Sequence, residues 1–189
     1  MHDIEPHFGW RHLYVAAHDP RSPFFRRKYS EFYFSNTVYN YYIHPQWDAF
    51  GSQTLYLKIL NCSYDLRYCV LELLGEWNDL IYNDIMYLYR NVIEPLLDAG
   101  IRYFILIGEN VLNFHVDGDD YYQEWFDNVE DGWITCLNFR EHVIKDFVGA
   151  HLDYYLAFGG KFDHFNWRGL QPDQLFAQIN ELVMKRLNP

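Results

Sequence analysis

Aliphatic hydroxyl side chains nearly vanish from most of this 189-residue chain: after Ser63, Thr135 is the only serine or threonine. That absence removes the G-x-S-x-G elbow of a serine hydrolase and the G-K-[ST] phosphate loop of a nucleotidase. Cysteine is scarce too. Cys62, Cys69 and Cys136 form neither a disulfide framework nor a C-x-x-C motif, which points to a reducing, cytoplasmic setting. No H-E-x-x-H is present, so zinc chemistry lacks its usual ligand spacing. Gly159-Gly160 stands without the further glycines of a dinucleotide fingerprint. No apolar run approaches the ~18 residues of a membrane span, and MHDIEPHFGW lacks the basic start and apolar stretch of a signal peptide. Positive charge is also short, with 15 Lys and Arg against 26 Asp and Glu, a formal net of −11. Such a chain is a poor ligand for nucleic acid or an anionic membrane. No cofactor, metal set or catalytic motif is expected.

What is abundant is aromatic and apolar. Half of the residues are hydrophobic and 20% are aromatic, as in a globular domain with a large core. Charge divides the chain. Residues 1–53 hold five basic and five acidic side chains, whereas residues 54–189 hold ten and twenty-one and so carry the whole −11. The first segment is dense in rings, from Phe8 and Trp10 to Trp47 and Phe50, and is broken by Pro6, Pro20, Pro23 and Pro45. It reads as an aromatic-rich arm packed on the domain or on a second subunit. Its basic cluster, Arg21, Arg26, Arg27 and Lys28, is suited to docking that arm onto the acidic domain.

From residue 54 the pattern becomes regular. Thr54–Leu60 and Arg67–Leu74 read as strands joined by a turn. A helix is expected over Leu80–Asp98, with Asp79 as N-cap, Gly100 past its end and Pro95 kinking it. Tyr103–Ile107 and Trp133–Leu137 read as buried strands, Asp119–Asn128 as a short helix, and Asp153–Phe158 as the last strand. Asn138 with Glu141 resembles a capping box for a helix closed by Gly149. Pro172 opens a final helix to about Leu187. The expectation is an α/β domain over residues 54–189. It has a mainly parallel mixed sheet of about five strands, β-β-α-β-α-β-α-β-α, with helices on both faces.

This element order resembles the SpoIIAA/STAS-like superfamily, across about residues 54–189. The resemblance implies a small sheet backed by helices in a regulatory or protein-binding role. Phosphorylated anti-sigma antagonists of that group carry a serine in the loop after a central strand. The matching stretch here, Gly108-Glu109-Asn110-Val111-Leu112-Asn113-Phe114, has no hydroxyl, so that switch is absent.

Ligands of open parallel sheets gather beyond the carboxyl ends of the strands. Two strands share L-[LI]-G-E, and on this reading each ends at its glycine. The candidate binding residues are therefore Glu76, Asn78, Glu109, Asn110, His115, Arg140, Asp163 and His164, with Arg140 placed to pair with Glu109 or Glu76. The acidic stretch between Arg102 and Arg140 includes D-G-D-D at 117–120, but it lacks the spacing of a calcium loop and suits a solvated helix start. Two functions compete. The first is a non-enzymatic regulatory or interaction module, acting with a protein partner or as a homo-oligomer. The alternative is a small-molecule-binding protein or metal-assisted enzyme with its site at the strand ends.

Overall fold

The computed structural model describes residues 4–187, so the first three residues of the arm lie outside the described residues. The arm is mostly irregular. A hairpin within it pairs β1 (Thr37–Val38) with β2 (Tyr41–Tyr42) through Tyr39 and Asn40, at φ 49° and 64°. Positive φ at both central residues is what a tight two-residue hairpin needs. The Tyr39 hydroxyl accepts from Asn113 Nδ2 at 2.9 Å, which holds the hairpin tip near the sheet.

The main sheet runs β3 (Leu55–Ser63), β4 (Tyr68–Asn78), β5 (Tyr103–His115) and β6 (Trp133–Leu137), in that spatial order. β3 is antiparallel to β4, and the other pairings are parallel. The expected fifth strand is not one. Residue 157 makes a single bridge to Thr135, after a 3₁₀ turn at Leu152–Tyr154. The cause is local. His151 sits at φ 56° before it, and Gly159 and Gly160 at φ 77° and 62° after it, so the backbone turns away on both sides.

Two strands are longer than the sequence suggests, because their glycines do not end them. A Cβ on Gly108 would lie 2.3 Å from the Phe139 ring, and one on Gly75 would lie 2.1 Å from the Thr54 carbonyl. Each glycine admits a neighbour within a continuing strand. The stretch 108–114 is consequently strand, not loop.

The single helix expected over 80–98 is four pieces: α1 (Asp79–Tyr82), α2 (Asp84–Leu88), a π turn over Tyr89–Ile93, and α3 (Glu94–Asp98). Asn83 at φ 52° separates the first two, and the widened turn precedes Pro95, which has no N–H to give the helical ladder. The cap of α1 is Asn78, whose Oδ1 accepts from the Ile81 N–H at 2.9 Å. Asp79 instead accepts from the Ile85 N–H of α2 (2.8 Å), the Trp77 indole (3.0 Å) and the Tyr122 hydroxyl (2.6 Å).

α4 (Asp120–Asn128), α5 (Glu141–Gly149) and α6 (Pro172–Leu187) complete the chain. Alternate β4 residues face opposite layers. Cys69, Leu71 and Leu73 join α2–α5, while Tyr68 and Val70 join Leu175, Ile179 and Val183 of α6. The arm contributes to every layer: Phe24 and Phe50 to the first, Trp10 to the second, and Val38, Ile43 and Trp47 to a third cluster with Tyr56 and Leu74. Among the described residues, no helix is long and apolar enough to cross a membrane.

Candidate functional site

On the α6 side of the sheet, Glu72 of β4 and Glu109 of β5 each carry a carboxylate beside the apolar cluster of Ile105, Ile107 and Trp167. The Arg168 guanidinium spans them, 2.6 Å from Glu109 and 4.0 Å from Glu72. Glu109 is fully engaged. Its Oε1 accepts from Asn138 Nδ2 and from the Trp167 indole, both at 2.8 Å, while Oε2 takes Arg168. Partial burial pushes this carboxyl up, but the hydrogen bonds from Arg168, Asn138 and Trp167 and the Arg168 charge outweigh it, so it is held below its usual range.

Glu72 is 1% exposed. Burial pushes its carboxyl up to about 7, against the opposing His7 backbone N–H and Arg168 charge and with the Glu109 charge adding to the rise. The His7 backbone N–H donates to Glu72 Oε2 at 2.7 Å, fastening the start of the arm to the sheet. The His7 ring lies edge-on to Trp10 and Trp167, with centroids 5.2 and 4.8 Å away, and its Nε2 is buried without a hydrogen-bond partner. Burial, then the Arg168 cation, lowers its pKa.

Asn138 is not a helix cap. At φ 56° it turns the chain after β6, and its side chain brackets residue 165, accepting from the Phe165 N–H (2.6 Å) and donating to the Phe165 carbonyl (2.9 Å). α5 starts instead at Glu141 after Arg140. Glu109, Asn138, Trp167 and Arg168 thus clamp the segment before α6 onto the sheet.

Seven of the eight candidate residues fall into two groups. Glu109, Arg140, Asp163 and His164 line one cleft of about 580 Å³ with Asn138 and Phe139. Arg140 and His164 are exposed there, and Asp163 Oδ1 is buried without a partner. The cation on Glu109 is Arg168, not the expected Arg140. Glu76, Asn78 and His115 form the second group at the ends of β4 and β5. Glu76 Oε1 is 3.1 Å from His115 Nε2 and accepts from Asn78 Nδ2 at 3.1 Å. Asn110 pairs in register with Leu74 and does not line the cleft. Among the described residues, no three His, Cys, Asp or Glu side chains converge to hold a metal ion.

The basic cluster also behaves differently from expectation. Arg27 pairs at 2.9 Å with the buried Asp48 of the arm itself, and Arg21 approaches Asp19 and stacks on Tyr64. Lys58 of β3 lies 3.3 Å from the same Asp48, so one arm carboxylate joins arm and sheet.

Sequence reasoning missed Glu72, His7, Trp167 and Arg168. Glu72 did leave a signal: a lone acid inside V-L-E-L-L is a charge the fold must either pair or protonate. His7 and Arg168 lie far from it in the chain and carry no comparable local signature. No protein-family model, curated protein or solved structure matches this chain.

Proposed function

We propose that the chain is a non-enzymatic interaction module of STAS-like kind that self-associates through the tip of its aromatic arm. The observation that carries this is the exposure of Phe32 (85%), Tyr33 (81%), Tyr39 (50%), Tyr41 (58%) and Tyr42 (50%) in one eleven-residue stretch, while Trp10, Phe24, Trp47 and Phe50 of the same arm are buried. Aromatic side chains carry roughly 150–250 Å² each, so this stretch offers on the order of 600 Å², as large as the largest apolar patches on monomers. Paired with its own copy it would bury about 1,200 Å², the lower end of specific interfaces. A second copy is the partner of choice because residues 1–53 are electrically neutral, whereas two bodies bearing the −11 of residues 54–189 repel elsewhere. The engagement of Glu109 by three donors also favours a scaffold role over acid–base chemistry. Wild-type protein is expected to sediment as a dimer dissociating in the micromolar range. The double variant Phe32→Ser, Tyr33→Ser is expected to stay monomeric with an unchanged circular dichroism spectrum. A wild type that is monomeric at all concentrations overturns this reading.

The 580 Å³ cleft favours a second reading, a small-molecule site for a carboxylate-bearing metabolite held by Arg140 and His164. Ligand at a hundred times its dissociation constant adds about 2.7 kcal/mol. That is a melting shift of roughly 5–10 °C, abolished by Arg140→Ala. A flat panel of such metabolites removes it.

A further inference from the structure

The three cysteines look scattered in sequence, yet two of them meet. The register of β3 and β4 sets Cys62 directly opposite Cys69, with the Sγ atoms 2.7 Å apart. Directly opposed antiparallel residues have Cα atoms about 4.5 or 5.5 Å apart, and both spacings lie within the ~4.4–6.8 Å that a disulfide bridges. Closure therefore needs no change of register. Cys69 is fully buried; Cys62 is nearly so, 8% exposed, but lines a surface cleft of about 430 Å³ together with Arg11, His12, His18 and Arg21. The one acid lining that cleft, Asp19, is occupied by the Tyr14 and Tyr64 hydroxyls and the Arg21 N–H. The opening thus carries two guanidinium groups, Arg11 and Arg21, against one carboxylate, and leads to a single thiol that has a second thiol behind it.

We propose that Cys62 and Cys69 form a reversible dithiol–disulfide pair, oxidised by small anionic disulfides that enter through this cleft. The Cys62 thiolate attacks one sulfur of RSSR, making a Cys62–S–S–R bond and expelling RS⁻. Cys69 then gives up its proton and attacks Cys62 Sγ, forming the protein disulfide and expelling the second RS⁻. The two protein protons finish on two RSH, and two electrons pass from the dithiol to RSSR. Cys62 attacks first because it lines the cleft, whereas Cys69 lies behind it, its thiol held well above the ordinary pKa by burial. The buried Cys136 has no cysteine opposite it in the β5–β6 register and takes no part.

The test equilibrates the folded protein in reduced and oxidised glutathione at increasing oxidised fraction, then alkylates and maps peptides by mass. Two thiols are expected to become protected together as a Cys62–Cys69 link, reversed by dithiothreitol and retained in Cys136→Ser. Cys69→Ser is expected to stop with glutathione on Cys62. Should that variant not fold, the wild-type map decides alone. Cationic cystamine is expected to react several-fold more slowly than oxidised glutathione. Three alkylatable thiols at the most oxidising ratio, a link through Cys136, or glutathione persisting on wild-type Cys62 would each overturn the pair. Equal or faster reaction with cystamine would overturn entry through the cationic cleft.

Discussion

The folded protein is expected to lose stability as the pH rises from about 4.5 to about 7, a window in which many proteins are at their most stable. Glu72 and Asp79 are the cause. Burial raises both carboxyls to about 7, from ordinary values of 4.5 and 3.8. A group whose folded pKa lies above its unfolded value contributes stability that is complete below the unfolded pKa and lost through the folded one. For Glu72 the span corresponds to about 3 kcal/mol. His7 acts in the opposite sense. Its pKa is lowered by burial, so its contribution is present above 6.5 and fades as the pH falls. Glu72→Gln separates the two, because an amide keeps the acceptor for the His7 N–H and cannot ionise. Urea titrations from pH 4 to 8 should show the variant near wild type at pH 4.5 and more stable by up to about 3 kcal/mol at pH 8. Parallel wild-type and variant profiles would show that Glu72 is ionised at no stability cost, which its burial argues against. Asp79 is a poorer probe, since its carboxylate accepts three hydrogen bonds that an asparagine cannot all keep.

Glu109→Ala is expected to be among the most damaging single changes on this side of the sheet. It leaves the Arg168 guanidinium only Glu72, 4.0 Å away, and strands the Trp167 indole N–H and one Asn138 donor. Breaking a buried ion pair from one side costs about 3–5 kcal/mol. The Arg168 side chain is half exposed, which screens the charge and brings the expected loss to about 2–3 kcal/mol. Acrylamide quenching of tryptophan fluorescence should rise at the same time, because the segment around Trp167 is released from the sheet. Arg168→Ala should cost less, as Glu109 keeps two neutral donors. The double variant should be less destabilised than the sum of the two. A loss under about 0.5 kcal/mol for Glu109→Ala would mean that the clamp does not hold this segment.

How far the sequence led depends on the range of the interaction. Strands with continuous apolar runs and the helix opened by Pro172 are local matters of periodicity and capping, and Trp133–Leu137 and Pro172–Leu187 stand where those signals put them. The errors share a physical cause. Gly75 and Gly108 look like strand ends, yet they are present because Thr54 and Phe139 come close from elsewhere in the chain. Asn138 resembles a cap until residue 165 arrives to occupy its amide. Arg140 looked like the partner of Glu109, but the cation that reaches it comes from a segment 59 residues further on, Arg168. Asp153–Phe158 has the composition of a strand, while the backbone turns at His151 and Gly159 leave it one bridge. The candidate site was half readable for the same reason. Polar residues after strands are visible in a sequence, whereas their partition between two groups depends on where each strand stops.

The exposed aromatic tip of the arm is proposed as the contact surface between two copies. Hydrogen–deuterium exchange at low and high protein concentration addresses it segment by segment. Concentrating the protein should slow exchange across residues 31–42, with the rest of the chain unchanged. Exchange in that segment that is independent of concentration, or slowing confined to another surface, would contradict it.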